Sequence, residues 1–137
     1  MARVDSIRLY LIEVLNELKQ DFETMNVNFL SNEVNNYSIT KMPMKSVVET
    51  TITGNRLMKD VYQFSGKFTY GSEVDENLEN ICFWEEFEEK IYSNNEKGVL
   101  PNISNVKEIK CLNCGSMRVA NSQDCEMTIQ IEIDYEK

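Results

Sequence analysis

Residues 126–135 alternate strictly between polar and apolar side chains, and this pattern constrains the fold more than any other in the chain. The apolar set is Met127, Ile129, Ile131, Ile133 and Tyr135, and the polar set is Glu126, Thr128, Gln130, Glu132 and Asp134. A period of two residues places the two sets on opposite faces of a β-strand. We therefore expect a sheet with one buried face and one solvated face.

A second pattern predicts a long central β-hairpin. Residues 47–53 and 57–70 both have strand character, and Gly54–Asn55 between them suits the positive φ angles of a two-residue turn. Gly66 lies midway along the second strand and predicts a bulge or a bend. Aromatic residues of one parity predict a core stripe on this strand: Tyr62, Phe64, Phe68 and Tyr70.

Two segments have the spacing of amphipathic helices. The first spans residues 4–22, and the second begins near Asp75 and ends at Gly98, a residue suited to a helix C-terminus. The predicted core faces are Val4, Ile7, Leu11, Val14, Leu15, Leu18 and Phe22 in the first helix, and Leu78, Ile81, Trp84, Phe87 and Ile91 in the second. The second helix carries an acidic run that we interpret as a solvated face, with contact to a basic partner as the alternative: Glu85, Glu86, Glu88 and Glu89.

Further strand signals occur at 26–30, 37–41 and 106–112, and the last of these should pair with the final strand across a turn that includes 114–124. The order of helix, strands, helix and two strands predicts an α+β domain, a mainly antiparallel β-sheet with two principal helices packed on one face. At 137 residues the chain suits a single domain, 1–137, with a sizeable core. It has no run of eighteen apolar residues and no recognisable secretory signal, so we expect a reducing cytoplasm.

The composition excludes several kinds of chemistry. The chain has no histidine, which removes Ser–His–Asp and Cys–His catalysis and the commonest metal ligand. Its 23 acidic residues leave two-carboxylate catalysis open, but no pair stands out, and we expect no enzymatic activity. The formal net charge of −9 argues against a surface that grips nucleic acid, because such surfaces carry clustered Lys and Arg.

The segment KCLNCGS, residues 110–116, looks most like a chemical motif. A structural zinc site usually has two close ligand pairs, whereas here Cys111 and Cys114 form one pair and Cys82 and Cys125 stand alone. A thioredoxin-like pair would open a helix, and turn and strand residues follow here. We interpret the segment as a strand end and a turn, with zinc and redox chemistry as alternatives, and we expect no metal or cofactor. Cys82 is expected as a small hydrophobic residue of the second helix.

Three stretches follow one another in an order that is known from a protein family. They are VVETTITGNRLMKDVYQF (47–64), DENLENICFWEEFEEKIYSNNEKGVLPNI (75–103) and VKEIKCLNCGSMRVANSQDCEMTIQIEIDYE (106–136), with the amphipathic helix before them. In this arrangement, and above all in the segment around NNEKG, the chain resembles small proteins of phages and prophages of Gram-positive bacteria, often labelled minor capsid or tail proteins. By fold and gene position these are similar to phage tail terminators.

The resemblance implies a structural role. Tail terminators form a ring, usually a hexamer, that caps the head-proximal end of the tail tube, stops tube polymerisation and offers a docking surface to the head connector. The implied partners are further copies of this chain, the tail tube protein, the sheath where a tail has one, and a head-completion or connector protein, with DNA passing through the lumen without specific binding. The implied location is the virion tail or neck, with the host cytoplasm during assembly and no membrane association.

A ring needs a head-to-tail interface that repeats through a closing rotation. The central hairpin is a candidate arm onto the neighbouring copy, because its tip combines charge with apolar surface: Arg56, Leu57 and Met58. The loop that carries the family-like segment is the second candidate, with Asn94, Asn95, Lys97 and Leu100. The alternative for both is a solvated turn or a helix end.

Other functions stay open at this point. One is a different neck, head-completion or minor capsid protein, or the collar of a phage-tail-like bacteriocin. Another is a small enzyme or metal-binding regulator built on the cysteine pair, and a third is an interaction module unrelated to phages.

Overall fold

The structure is a computed structural model that describes residues 2–20, 24–28, 30, 36–43, 47–50, 52, 54, 56–69, 74–120 and 124–136. These residues form two helices and seven strands, in the order α1 (Arg3–Glu17), β1 (Thr24–Val27), β2 (Asn36–Lys41), β3 (Val47–Thr50), β4 (Arg56–Thr69), α2 (Val74–Lys97), β5 (Val106–Cys111), β6 (Ser116–Ala120) and β7 (Asp124–Glu136). All seven strands belong to one sheet, antiparallel except for the pair β1–β2. The predicted α+β class is confirmed.

Strands β4 and β7 form the centre of the sheet. They pair without interruption from Leu57 opposite Glu136 to Thr69 opposite Asp124. On the side away from β7, β4 pairs with β3 near its start and with β2 further along. On the side away from β4, β7 pairs with β6 near its start and with β5 near its end. Strand β1 pairs with the side of β2 that faces away from β4, so β1 and β5 lie at opposite edges of the sheet.

The helices cover the face of the sheet that carries the apolar residues of β7. The predicted buried face of this strand is confirmed, since all five apolar residues are buried: Met127, Ile129, Ile131, Ile133 and Tyr135. The opposite face is not fully solvated as predicted, because Glu132 and Asp134 are also buried. On β4, Tyr62, Phe64 and Phe68 are buried on the same face. The ring of Phe64 stacks on Tyr37 of β2, with ring centroids 5.5 Å apart, and on Phe87 of α2 at 5.2 Å. These stacked rings join α2 to the middle of the sheet.

Helix α1 is shorter than predicted. It ends at Glu17, after which Lys19 takes a left-handed conformation with φ of 57° and the N–H of Gln20 bonds the carbonyl of Leu15. A left-handed residue that closes the last turn in this way is a frequent helix end. The predictions also used residues outside the described part of the chain, namely Phe22, Asn55 and Tyr70.

Helix α2 has nearly the predicted bounds and ends before Gly98, whose φ is 75°. Its buried face, however, is rotated from the predicted one. Leu78 and Ile81 are 55% and 49% exposed, so their assignment to the core was wrong, whereas Phe83 is buried. The sheet contacts the side of the helix centred on Phe87, and Leu78 lies on the opposite side of the helical turn.

The central hairpin is present, with Thr50 paired opposite Arg56. The predicted Gly54–Asn55 turn includes Asn55, which lies outside the described residues. The predicted bulge at Gly66 was wrong, because Gly66 pairs in regular register with Tyr37 and Met127. A Cβ at Gly66 would lie 2.7 Å from Cε1 of Tyr37. Glycine is therefore required there for packing.

A further strand lies where only a turn was expected. Residues 116–120, inside the predicted turn 114–124, form β6 and pair with the first half of β7. The segment 110–116 is confirmed as a strand end and a turn, since β5 ends at Cys111 and β6 begins at Ser116. The first predicted strand, 26–30, lies instead at Thr24–Val27 and ends before Asn28, which has φ of 60°.

Candidate functional site

The interface residues predicted at the start of β4 differ in their exposure. Arg56 is exposed and Leu57 is half-buried, whereas Met58 is buried in the hydrophobic core. The side chain of Met58 therefore stabilises the fold and is not presented to another chain. Arg56 is the exposed candidate at this end of the sheet, and its role as an interface residue stays a prediction.

The segment around the end of α2 joins several elements of the fold. Asn94 is 4% exposed and donates from Nδ2 to the hydroxyl of Tyr10 on α1 at 3.1 Å. That hydroxyl donates to the carbonyl oxygen of Val99 at 3.0 Å. Leu100 is half-buried against the core, and Lys97 is exposed. Asn94, predicted as an interface residue, thus has an internal structural role, and Lys97 stays a surface candidate.

Helix side chains form hydrogen bonds to β1 and β5, the strands at opposite edges of the sheet. At β5, the backbone N–H of Ile109 donates to Oδ1 of Asn95 on α2 at 3.0 Å. At β1, the carbonyl oxygen of Met25 accepts a hydrogen bond from Nε of Arg8 on α1 at 2.7 Å. Open backbone groups of an edge strand favour pairing with another chain, and caps of this kind oppose it. Asn95, also predicted as an interface residue, therefore opposes strand pairing at β5.

A charged cluster lies where α1 begins. The Asp60 side chain on β4 is 1% exposed, and its Oδ2 accepts a hydrogen bond from Nε of Arg3 at 2.8 Å. The Nζ of Lys41 on β2 lies 3.9 Å from Oδ1 of the same carboxylate. The hydroxyls of Tyr62 and Tyr135 are 3.3 Å and 3.4 Å from its oxygens. The guanidinium of Arg3 also lies over the ring of Tyr135, 5.0 Å from its centroid, in a cation–π contact.

This cluster borders a cavity of about 310 Å³ whose lining includes Arg3, Lys41 and Tyr62. The hydrogen bond to Asp60 raises the pKa of Arg3, and burial raises the pKa of Tyr62, so the first stays charged and the second stays protonated at neutral pH. Among the described residues, two cations, Arg3 and Lys41, surround the carboxylate of Asp60, so these three groups together carry an excess of positive charge beside the cavity. The cavity can therefore receive a carboxylate or another anion.

Sequence reasoning missed this cluster. A signal was present, because Asp60 has the same parity as Met58 and Tyr62 and so belongs to the core face of β4. A carboxylate on a core face needs a hydrogen-bonding or ionic partner. The partners lie 57 and 19 residues away in sequence, at Arg3 and Lys41, and no local pattern connects them.

The side of α2 that faces away from the sheet combines apolar and acidic residues. Leu78, Ile81 and Tyr92 are 55%, 49% and 68% exposed. Exposed carboxylates lie among them at spacings that place all six side chains on one side of the helix. We call this set the outer stripe of α2: Leu78, Ile81, Glu85, Glu89, Tyr92 and Glu96.

The cysteine pair lies at the junction of β5 and β6. Burial raises the pKa of Cys111 to about 12, and the carboxylate of Glu88 raises the pKa of the exposed Cys114. Metal ligation and redox attack both use the thiolate, which these environments disfavour. Among the described residues no group of three or more Cys, Asp or Glu side chains is placed to hold a metal ion. Cys82 lies in α2, as predicted, but it is exposed beside Glu86 rather than packed as a hydrophobic residue.

Comparison with known proteins adds no relative. No model of a known protein family matches the chain, and no curated protein matches it. In the part of the chain that the structure describes, neither helix is long and apolar enough to cross a membrane.

Proposed function

We propose that this chain is a structural tail terminator of a phage, a prophage or a phage-derived particle. It forms a ring, of six copies as is usual among tail terminators, that caps the head-proximal end of the tail tube, stops tube polymerisation and provides the docking surface for the head connector. The observation that carries the proposal is the resemblance over residues 75–103, supported by the order of the other segments along the chain.

The proposed work is binding, and two features of the chain support it. The outer stripe of α2 offers exposed apolar and acidic surface, and the cavity at Arg3 and Lys41 offers positive charge. The net charge of −9 suits a ring through which DNA passes, because like charge on the lumen wall keeps the duplex from adhering. The proposed partners are other copies, the tube protein and the connector, and the proposed location is the tail or neck of the virion.

Electron microscopy of phage-like particles that carry a tagged copy of this chain tests the proposal. A ring of label at the head-proximal end of the tail is the expected result, and its symmetry gives the copy number. Label on the capsid shell, or label on no particle, overturns the proposal in favour of a minor capsid or non-structural role. Filter binding provides a second test, and tight binding of duplex DNA at moderate salt contradicts the proposed non-adhering lumen.

A further inference from the structure

We propose that one copy of this chain binds the next by placing the outer stripe of α2 against the cation-lined cavity at the start of α1. The proposal rests on the ring function proposed above and names the contact between copies. The occupant of the cavity is a second copy of the same chain, which contributes a carboxylate from the stripe.

The two surfaces are different parts of the molecule. The cavity is lined by residues at the start of α1 and by Val27 and Lys41 at the ends of β1 and β2. The outer stripe lies on the side of α2 opposite the buried Phe87. A contact between two different surfaces can repeat from copy to copy, and it closes into a ring when the rotation between copies allows.

The charges of the two surfaces are complementary. At the cavity, Arg3 and Lys41 share the carboxylate of Asp60, which leaves positive charge in excess among the described residues. The stripe carries Glu85, Glu89 and Glu96, and none of its six members is a Lys or Arg. In the described part of α2, Lys90 is already paired with Glu17 on α1. An interface of this kind gains specificity and a fast encounter rate from electrostatic attraction.

The exposed apolar members of the stripe give the contact its hydrophobic component. Leu78, Ile81 and Tyr92 lie on one side of α2 and are each about half exposed or more, although a helix facing only solvent would favour polar residues there. Their burial by a neighbour removes apolar area from water, which favours association. Tyr92 also suits an interface, because tyrosine is enriched at protein contacts.

The hydrogen bonds that cap β1 and β5 oppose strand addition at these two strands. Strand addition at β5 would have to displace the bond from Ile109 to Asn95, and at β1 the bond from Arg8 to Met25. Each displacement leaves a polar group to be paired again. A contact through α2 and the cavity leaves both bonds in place.

Charge reversal with recovery tests the contact. In analytical ultracentrifugation of the wild-type chain at low salt, we expect concentration-dependent association that weakens when the salt is raised from about 0.05 M to about 0.5 M. Lys41→Glu and Glu89→Lys should each reduce association at least tenfold. Combining both changes in one chain, or mixing the two single variants, should restore it, because each altered surface again meets its opposite. Glu13→Lys on α1 and Lys19→Glu just beyond its end are matched charge reversals at exposed positions, and they should leave association unchanged.

The outcomes separate this contact from the proposed function. Wild-type protein that stays monomeric, reversals that have no effect, or a double variant that does not recover would each overturn the proposed contact. Circular dichroism of every variant checks that lost association does not reflect unfolding. The position of label on particles is measured independently, so a ring of label at the tail end together with inert charge reversals would keep the terminator function and reject only this contact.

Discussion

Gly115 lies flat against the indole of Trp84, so closely that a Cβ built on it would sit 2.4 Å from Cγ of that ring. Trp84 is 2% exposed and packs edge-on against Phe64, Phe68 and Phe87. The turn after β5 is thereby held against the middle of α2. The glycine of the segment KCLNCGS thus serves packing, in the place where the sequence suggested chemistry.

Replacing Gly115 with alanine should destabilise the protein strongly. The added methyl group cannot fit unless Trp84 or the turn moves, and overpacking of this kind costs about 1–3 kcal/mol, or more where backbone and ring are both fixed. Urea unfolding measures the loss. Ser116→Ala, on the neighbouring exposed residue, is the control and should change the free energy of unfolding by less than about 0.5 kcal/mol. Equal stability of the two variants would show that the turn does not pack against Trp84.

The choice of which side of α2 faces the sheet gives a second prediction. Phe87 is fully buried, so Phe87→Ala should reduce the free energy of unfolding by about 3–5 kcal/mol. Leu78→Ala removes a side chain that is 55% exposed and should cost less than about 1 kcal/mol in the monomer. Urea unfolding at low protein concentration compares the two. A large loss in the free energy of unfolding for Leu78→Ala would support the buried helix face that the sequence predicted.

The buried faces of β7 and α2 show when hydrophobic periodicity predicts which side of an element faces the core. Strand β7 was predictable because its two residue sets differ sharply and only one register buries the apolar set. Helix α2 has apolar residues on more than one side, so Leu78 and Ile81 fit a stripe with Trp84 although the sheet contacts the side of Phe83 and Phe87. The choice depends on which side meets the sheet, and that is a tertiary property.

The candidate functional surfaces were harder to predict than the fold. Asp60 and Arg3 form their ion pair across 57 residues, and only the paired register of β4 brings the carboxylate beneath the start of α1. The loop-like sequence around Asn94 and Asn95 predicts interface residues, yet both side chains bond within the chain. Polar residues near a helix end often satisfy nearby backbone groups, and the sequence alone does not distinguish this role from binding.

The side chain of Asn95 should stabilise the fold by capping the edge of β5. Asn95→Ala leaves the N–H of Ile109 without its acceptor and should cost about 1 kcal/mol in urea unfolding. It also opens the edge of β5, so light scattering should show aggregation at a lower temperature than in the wild type. Asn102→Ala, at an exposed position, is the matched control. Unchanged stability and unchanged scattering would mean that water replaces the cap without penalty.

The exposed thiols of Cys82 and Cys114 test how a neighbouring carboxylate affects the pKa of each thiol. Glu88 raises the pKa of Cys114, and Glu86 raises the pKa of Cys82. Thiolate is the reactive species, so Glu88→Gln should speed alkylation at Cys114 but not at Cys82, and Glu86→Gln should do the reverse. Peptide mass spectrometry after timed iodoacetamide treatment near pH 8 measures both rates in each protein. If both thiols accelerate in both variants, the effect is one of net charge rather than of neighbouring carboxylates.

Asp134 should make the stability of the protein depend on pH. It lies on the polar face of β7 and is 8% exposed, with Nζ of Lys110 3.9 Å from its Oδ2. Burial first, and repulsion from Glu132 second, raise the pKa of Asp134, while Lys110 and Lys59 oppose the shift. The folded state then binds the proton more tightly than the unfolded state. The contribution of this group to stability is therefore largest when it is protonated, and it falls as the pH rises from about 4 through the raised pKa of the folded state.

The variant Asp134→Asn keeps the shape of the side chain and removes the charge. It should be more stable than the wild type at pH 7, and the difference should vanish at about pH 3, where the wild-type carboxyl is protonated in both states. Urea unfolding across this pH range gives the two curves, with Glu13→Gln at an exposed position of α1 as the control. A variant less stable than the wild type at pH 7 would mean that attraction from Lys110 and Lys59 exceeds the cost of burying the charge.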